Sequence, residues 1–266
     1  MKIAVCVKQV PDSWAEKKMQ DGRLDRLNVD AVLNDLDEYA VEEALRIVEA
    51  NGGNGEGAPN SVTVISMGPE RTVDAARKAL SMGADGAIII TDDGLAGSDA
   101  LATSQVLASV IAQGAFDLVI CGTESTDARM SVIPAMLAAR LGWAQLTFAE
   151  SVAIDVGAKT VAIARATESG IEKMKAAFPA VISVVEKINE PRYPSFKGIM
   201  AAKKKPMETY SLATAGVEPN LVGAAGAKSI VVDATQRPPR AAGIKVVDDG
   251  NGGNELVNFL VEKKLI

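Results

Sequence analysis

The chain has 266 residues, 48 % of them apolar but only 4 % aromatic, with a net charge of −6 and no histidine. That charge offers no footprint for nucleic acid, and the missing imidazole excludes Ser-His-Asp and Cys-His nucleophile systems, along with the commonest metal ligand, within the chain. Two cysteines make no disulfide framework, no secretory leader pattern opens the sequence, and no apolar run approaches the roughly 20 residues of a membrane span, so the expectation is a cytoplasmic chain.

An apolar content carried by Ala, Val, Ile and Leu suits a parallel α/β sheet covered on both faces. The first strand is Ile3-Ala4-Val5-Cys6-Val7. A helix then begins near Asp37, with Ala40, Val41, Ala44, Leu45, Ile47 and Val48 on one stripe. The Gly-rich stretch 51–57 ends it. A phosphate-binding turn follows a strand and precedes a helix, and this stretch has the opposite order, so it reads as a helix stop. Val62 to Ser66 is the second strand, and Pro69 suits the first turn of the helix after it. Ala87 to Ile90 and Leu118 to Cys121 are strands three and four, followed by helices over Ser98–Ala112 and from about Arg129 to Leu141. This alternation implies right-handed βαβ crossovers and a doubly wound parallel sheet. After Trp143 a hairpin around Gly157 and a strand from Ala180 to Val185 follow. From Lys205 the tail holds short strands, much Gly and Ala, and a last amphipathic helix, Glu255 to Lys263, with Leu256, Phe259 and Leu260 on its apolar stripe. Such a tail is either an arm for another subunit or a segment folded back on its own domain.

Ligands of open parallel sheets lie beyond the carboxyl ends of the strands. Strand one delivers Lys8, Gln9 and Asp12 there; strand two delivers Ser66, Met67 and Gly68; strand four delivers the run Gly122 to Asp127. Asn34 and Asp35 arrive just before the first helix. A helix starting near Met130 or Ser131 points free N–H groups at an anion, and Arg129 adds charge. A phosphate there with an adenine against Cys6 and Met67 is physically sensible; a polar loop that merely caps a helix would look the same.

The segment 189–205 stops obeying any buried pattern. Pro191 and Pro194 stiffen it, and Tyr193, Phe196, Ile199 and Met200 place apolar groups on an expected surface loop. Either the loop tucks these groups under itself or a partner docks on them. Lys203, Lys204 and Lys205 follow, in a pattern that a solvated helix face also produces.

Read together, N-E-P-R-Y-P-S-F-K-G-I-M-A-A-K-K-K at 189–205, V-K-Q-V-P-D at 7–12, L-N-D-L-D-E-Y-A-V-E-E-A at 33–44, K-A-L-S-M-G-A-D at 78–85 and G-T-E-S-T-D at 122–127 resemble the β subunit of electron transfer flavoprotein. The resemblance spans essentially the whole chain. It implies a Rossmann-like fold of the adenine nucleotide α-hydrolase type over 1–187, a partner-recognition loop and basic helix over 188–205, and an arm over 206–266 that packs on an α subunit. It implies AMP in this chain, held by Cys6, Asn34, Asp35, Leu36, Asp37, Met67 and the run Thr126, Asp127, Ala128, Arg129, Met130, Ser131, Val132, Ile133 and Pro134. FAD is implied to lie mainly in the α subunit, with Trp14 or Leu36 approaching the flavin. Pro191, Arg192, Tyr193, Phe196, Ile199 and Met200 are the implied partner contacts, with Phe196 where the family usually carries a leucine anchor. The implied role is an electron carrier without catalysis of its own, fed by acyl-CoA and other flavin dehydrogenases and emptied by a quinone-linked oxidoreductase. An electron-bifurcating relative with a second FAD in place of AMP, and a stand-alone nucleotide-binding protein of similar fold, are the alternatives. Family members commonly carry glycine or small residues near 129–132, so bulky Met130 and Val132 alter the phosphate contacts, and Ser131 offers a hydroxyl instead.

Overall fold

The computed structural model describes residues 1–20, 23–235, 237–240 and 242–266, in two compact units, Met1–Asp233 and Ala234–Ile266. Among the described residues the first unit runs β1 (Lys2–Val7), β2 (Gln9–Pro11), β3 (Met19–Gln20), β4 (Arg23–Leu24), β5 (Ala31–Leu33), α1 (Asp35–Ala50), β6 (Ser61–Met67), α2 (Val73–Met82), β7 (Gly86–Ile90), α3 (Ala100–Gln113), β8 (Leu118–Gly122) and α4 (Ile133–Leu141). It continues with β9 (Ala144–Ala149), β10 (Ser151–Asp155), β11 (Thr160–Thr167), β12 (Gly170–Ala177), β13 (Ala180–Val184), α5 (Phe196–Ala202), β14 (Met207–Tyr210), α6 (Leu212–Ala215) and α7 (Gly223–Gly226). The second unit holds α8 (Gly252–Glu262).

Seven strands form one parallel sheet in the order β14-β7-β6-β1-β8-β13-β9. The inner strands are apolar on both faces because both faces are covered: β8 and β13 are buried at every position. One face packs on α1 and α2 through Ala40, Ala44, Ala76 and Ala79, small residues that let the helices approach closely; the other face packs on α3 and α4 through Val106, Ile111 and Leu137. The chain moves outward from β1 to β6 and β7, then crosses to β8 on the other side of β1. The strand order therefore reverses between β1 and β8, the switch point at which open parallel sheets carry their ligand crevice.

Several strands escape the sequence pattern, among them the short β2 to β5 before the first helix. β9 and β14 are the two edges of the main sheet. β12 completes a separate antiparallel sheet, β10-β11-β12, and its first four residues are exposed. The stretch 206–233, expected in the arm, is built into the first unit: β14 pairs with β7, and Leu212, Ala215, Val217 and Val222 enter the core. The second unit begins at Ala234. None of the residues of α8 is buried, and Leu256, Val257, Phe259 and Val261 are exposed.

Gly122 closes β8 where α1 begins. A Cβ there would stand 2.6 Å from both the Leu36 carbonyl and Asp37 Oδ1, so only glycine lets the two elements meet. Gly122→Ala is expected to push the start of α1 off the sheet and to destabilise by about 1–3 kcal/mol, the usual cost of overpacking. Urea midpoints of the two proteins check this, with an unchanged midpoint as the contrary result.

Candidate nucleotide crevice and docking helix

The carboxyl ends of β1 and β8 are knitted by side chains from four segments. The Asn34 amide donates to the Glu124 carbonyl (2.9 Å), while its oxygen accepts from the Thr126 N–H (3.0 Å). Asn34 precedes α1 without capping it by its side chain; it clips the β8 loop instead. The Lys8 N–H donates to Asp37 Oδ2 (2.8 Å). The Asp127 carboxylate is fully buried and takes Lys8 Nζ (2.7 Å) on one oxygen and Arg26 Nε (2.6 Å) on the other.

These contacts split two neighbouring carboxyls. Burial would raise Asp127, but the Lys8 charge and the hydrogen bonds from Lys8, Arg26 and Ser125 outweigh it and hold the group at about 2. Asp37 lies beside it without a salt-bridge partner among the described residues. Burial pushes it to about 7, opposed by hydrogen bonds from Asn34 and the Lys8 backbone and by the Lys8 charge, and reinforced by the Asp127 charge.

The β8 loop ends in a helix that starts later than the sequence pattern suggests. Arg129 (φ 49°) and Ser131 (φ 54°) are left-handed, so the backbone there cannot be helical, and α4 begins at Ile133 with Pro134 in its first turn. Val132 supplies no side-chain cap, which leaves N–H groups at the start of α4 without that partner. Ser131, whose hydroxyl stood to replace a lost backbone contact, donates it to Glu124 Oε2 (2.8 Å). Ala128, Arg129 and Met130 are exposed; Cys6 is buried and Met67 half-buried at the adjoining strand ends. Cys6 also faces Cys121 across the β1–β8 pair, and both thiols are free. Asp35 is exposed, Leu36 half-buried and Trp14 almost fully exposed, at 96 %. The crevice thus gathers the candidate nucleotide residues, while Trp14 stands apart on the excursion between β2 and β5. Sequence reasoning missed Arg26 as part of this crevice; its partner Asp127 lies about a hundred residues away, and no local pattern joins them.

At the second locus, the expected loop is a short helix, α5. Ser195 caps it by accepting from the Gly198 N–H (3.0 Å). A Cβ on Gly198 would lie 2.5 Å from the Ser81 carbonyl, so the glycine allows α5 to lean on the end of α2. Tyr193 (94 %), Phe196 (81 %), Ile199 and Met200 are exposed. Two expected surface groups have other work. Arg192, grouped with the partner contacts, is committed to α1: Nε meets Glu42 (2.7 Å) and Nη1 meets Glu49 (2.6 Å). Pro191 beside it is half-buried. Lys205 leaves the solvated triplet and donates to the Leu80 (3.1 Å) and Ala84 carbonyls at the end of α2, where burial lowers its pKa.

A seven-stranded parallel sheet wound in both directions from β1, with a polar loop at its switch point, defines a Rossmann-like class of α/β protein. Comparison with known proteins narrows this class. A family profile described as the electron transfer flavoprotein domain matches residues 21–215. The chain is 50 % identical over 268 residues to an electron transfer flavoprotein subunit beta of Mycobacterium tuberculosis, covering 99 % of each. It is 33 % identical to the subunit beta of Megasphaera elsdenii, covering 100 % of each, and 34 % identical to that of Bradyrhizobium diazoefficiens, covering 93 % of this chain and 94 % of the relative. The chain belongs to the electron transfer flavoprotein β-subunit family.

The two carboxyls give opposite pH signatures. Asp37, raised from 3.8 to about 7, contributes stability that is present below pH 3.8 and lost as pH rises towards 7; Asp127, lowered to about 2, contributes stability present above 3.8 and lost as pH falls towards 2. Asp37→Asn is therefore expected to flatten the decline in unfolding free energy between pH 4 and pH 7. Denaturant titrations across that range test it, and parallel wild-type and variant curves would contradict it.

Proposed function

We propose that this chain is the β subunit of a heterodimeric electron transfer flavoprotein that holds AMP in the β1–β8 crevice. A separate α subunit supplies most of the FAD site. The assembly works in the cytoplasm and takes electrons from flavin dehydrogenases, such as those acting on acyl-CoA. It passes them to a quinone-linked oxidoreductase, and this chain performs no catalysis of its own. Bound flavin supplies the redox chemistry; this chain contributes nucleotide binding, a flavin-facing surface and docking.

One coincidence carries the reading. Similarity over the full length to β subunits meets a crevice whose loop ends in a helix start without a side-chain cap. AMP would fit there by class. Its phosphate is favoured by the start of α4 and by Arg129, and its adenine by the apolar Cys6 and Met67 side chains. Asn34 and Asp127 would hold the loop, and Trp14 or Leu36 would face the flavin. The exposed apolar residues of the second unit, among them Ile244, Val247, Leu256 and Phe259, suit an arm on the α subunit.

The nucleotide is tested by mass spectrometry of the ligands released from the denatured heterodimer. AMP and FAD in equal amounts are expected; two FAD and no AMP would favour the bifurcating alternative. Asp127→Ala and Ser131→Trp should each lower AMP content, the first by freeing the loop and the second by filling the phosphate region. Full AMP occupancy in both variants would move the site elsewhere.

Docking is tested at Phe196. A side chain 81 % exposed supports little core, so its burial in a partner pocket would make it a hot spot. Phe196→Ala is expected to cost about 2 kcal/mol of dehydrogenase binding, more than tenfold in electron transfer at limiting partner. FAD content and reduction by an artificial dye should stay normal. Unfolding of the variant with unchanged partner kinetics per folded molecule would refute the docking role.

A further inference from the structure

Between β2 and β5 the chain makes an excursion, residues 12–30, closed at its neck by the β2–β5 pairing and by the Asp12 N–H donating to the Asp30 carbonyl (2.9 Å). The excursion has little core of its own: Trp14, Met19 and Leu27 are all exposed. A loop of this length with no buried apolar anchor among its described residues takes its conformation from its polar tethers. Among the described residues, side-chain tethers reach its body from outside at three places. Ser13 donates to Asp35 (3.1 Å), Arg26 pairs with Asp127 (2.6 Å), and Arg71 donates to three of its carbonyls.

Arg71 is the most connected of these. Its guanidinium reaches the Arg26 (3.3 Å), Leu27 (2.8 Å) and Val29 (3.0 Å) carbonyls on the returning limb. Its own carbonyl accepts from Gln9 Nε2 (2.9 Å) on the outgoing side. It sits in the turn between β6 and α2, half-buried, and so ties the end of β6 to both limbs. The planar fork with five donors suits three carbonyls in a way a single ammonium does not. One of the three carbonyls belongs to Arg26, whose side chain is one of the two cations holding the buried Asp127 carboxylate. A continuous chain of polar contacts therefore runs from Arg71 through the Arg26 backbone and side chain to Asp127 and the β8 loop.

We propose that Arg71 is a positioning residue for the nucleotide crevice. By fixing the backbone at Arg26 it presents the Arg26 guanidinium to Asp127, so the excursion acts as a strap that holds the β8 loop in its nucleotide-competent form. This rests on the reading of that loop as the nucleotide site. Arg71 touches no ligand; it acts through Arg26.

The test uses the chain co-expressed with its α subunit. Hydrogen exchange of segments 13–20 and 23–30 and of the loop 124–131 is measured in wild type, Arg71→Ala, Arg71→Lys and Arg26→Ala, together with the rate of AMP release into excess competitor. Arg71→Ala is expected to speed exchange in both the excursion and the β8 loop. AMP release should accelerate about fivefold or more, the low end of typical coupling between sites. Arg71→Lys should restore little, and methylguanidinium added to Arg71→Ala should slow release again, which a loss of general stability would not show. In the Arg26→Ala background, Arg71→Ala should add no further acceleration of release. Exchange that rises in the excursion alone, with AMP release unchanged, overturns the proposal. Should the wild-type complex carry no adenine nucleotide, the functional reading fails; the exchange of 124–131 in Arg71→Ala then still decides whether Arg71 positions the loop.

Discussion

A fully buried carboxylate held between two cations organises the working end of this molecule. Asp127 carries its charge into the crevice at the switch point, and Lys8 and Arg26 each take one of its oxygens. Removing either partner would leave one buried oxygen of the carboxylate without its cation, a larger penalty than losing a surface pair. Because the three residues come from the β8 loop, the end of β1 and the excursion, one ionic cluster ties together three segments distant in sequence. Asn34 and Gly122 complete the arrangement: the first clips the loop to the start of α1, the second lets α1 approach β8 at all. The neighbouring Asp37 lacks such a partner and is driven towards neutrality. Two acids of one crevice thus behave as opposites for reasons of environment alone.

Much of the fold was legible because parallel strands buried on both faces leave continuous β-branched runs. β1, β6, β7, β8 and β13 all carry that signal, and the helices between them carry the stripes of three and four. β9 and β14 left no such run because they are edges, and the first half of β12 stands in solvent, where nothing requires an apolar alternation. The start of α4 was misplaced because left-handed backbone at Arg129 and Ser131 has no signature in non-glycine residues. The crevice was readable from strand ends and from resemblance. The partners of Arg26, Arg192 and Lys205 were not, since each lies across a long sequence separation and a charged side chain looks the same in sequence whether solvated or committed.

The 206–233 stretch shows a similar limit. Its Gly and Ala content suggested a weak tail, yet small residues are what permit close contact beside β7 and α3. Gly223 lies where any Cβ would meet the Gly94 carbonyl at 2.3 Å, and Ala215 is fully buried. Low side-chain volume marks tight packing here and sparse packing beyond Asp233, and composition alone does not separate the two.

α5 brings a different consequence. It is seated on α2 by Gly198, its approach is stapled to α1 by Arg192, and its exit is tied down by Lys205. All three attachments lie on the inner side, and none uses Tyr193, Phe196, Ile199 or Met200. The backbone that carries those four side chains is thus ordered before any encounter, which leaves mainly side-chain freedom to be lost on contact. The contact chemistry is also separable from the architecture: the outward side chains can be exchanged for others while the mounting stays as it is. Substitution at these few exposed positions changes the outward surface of α5 without reworking the sheet beneath it.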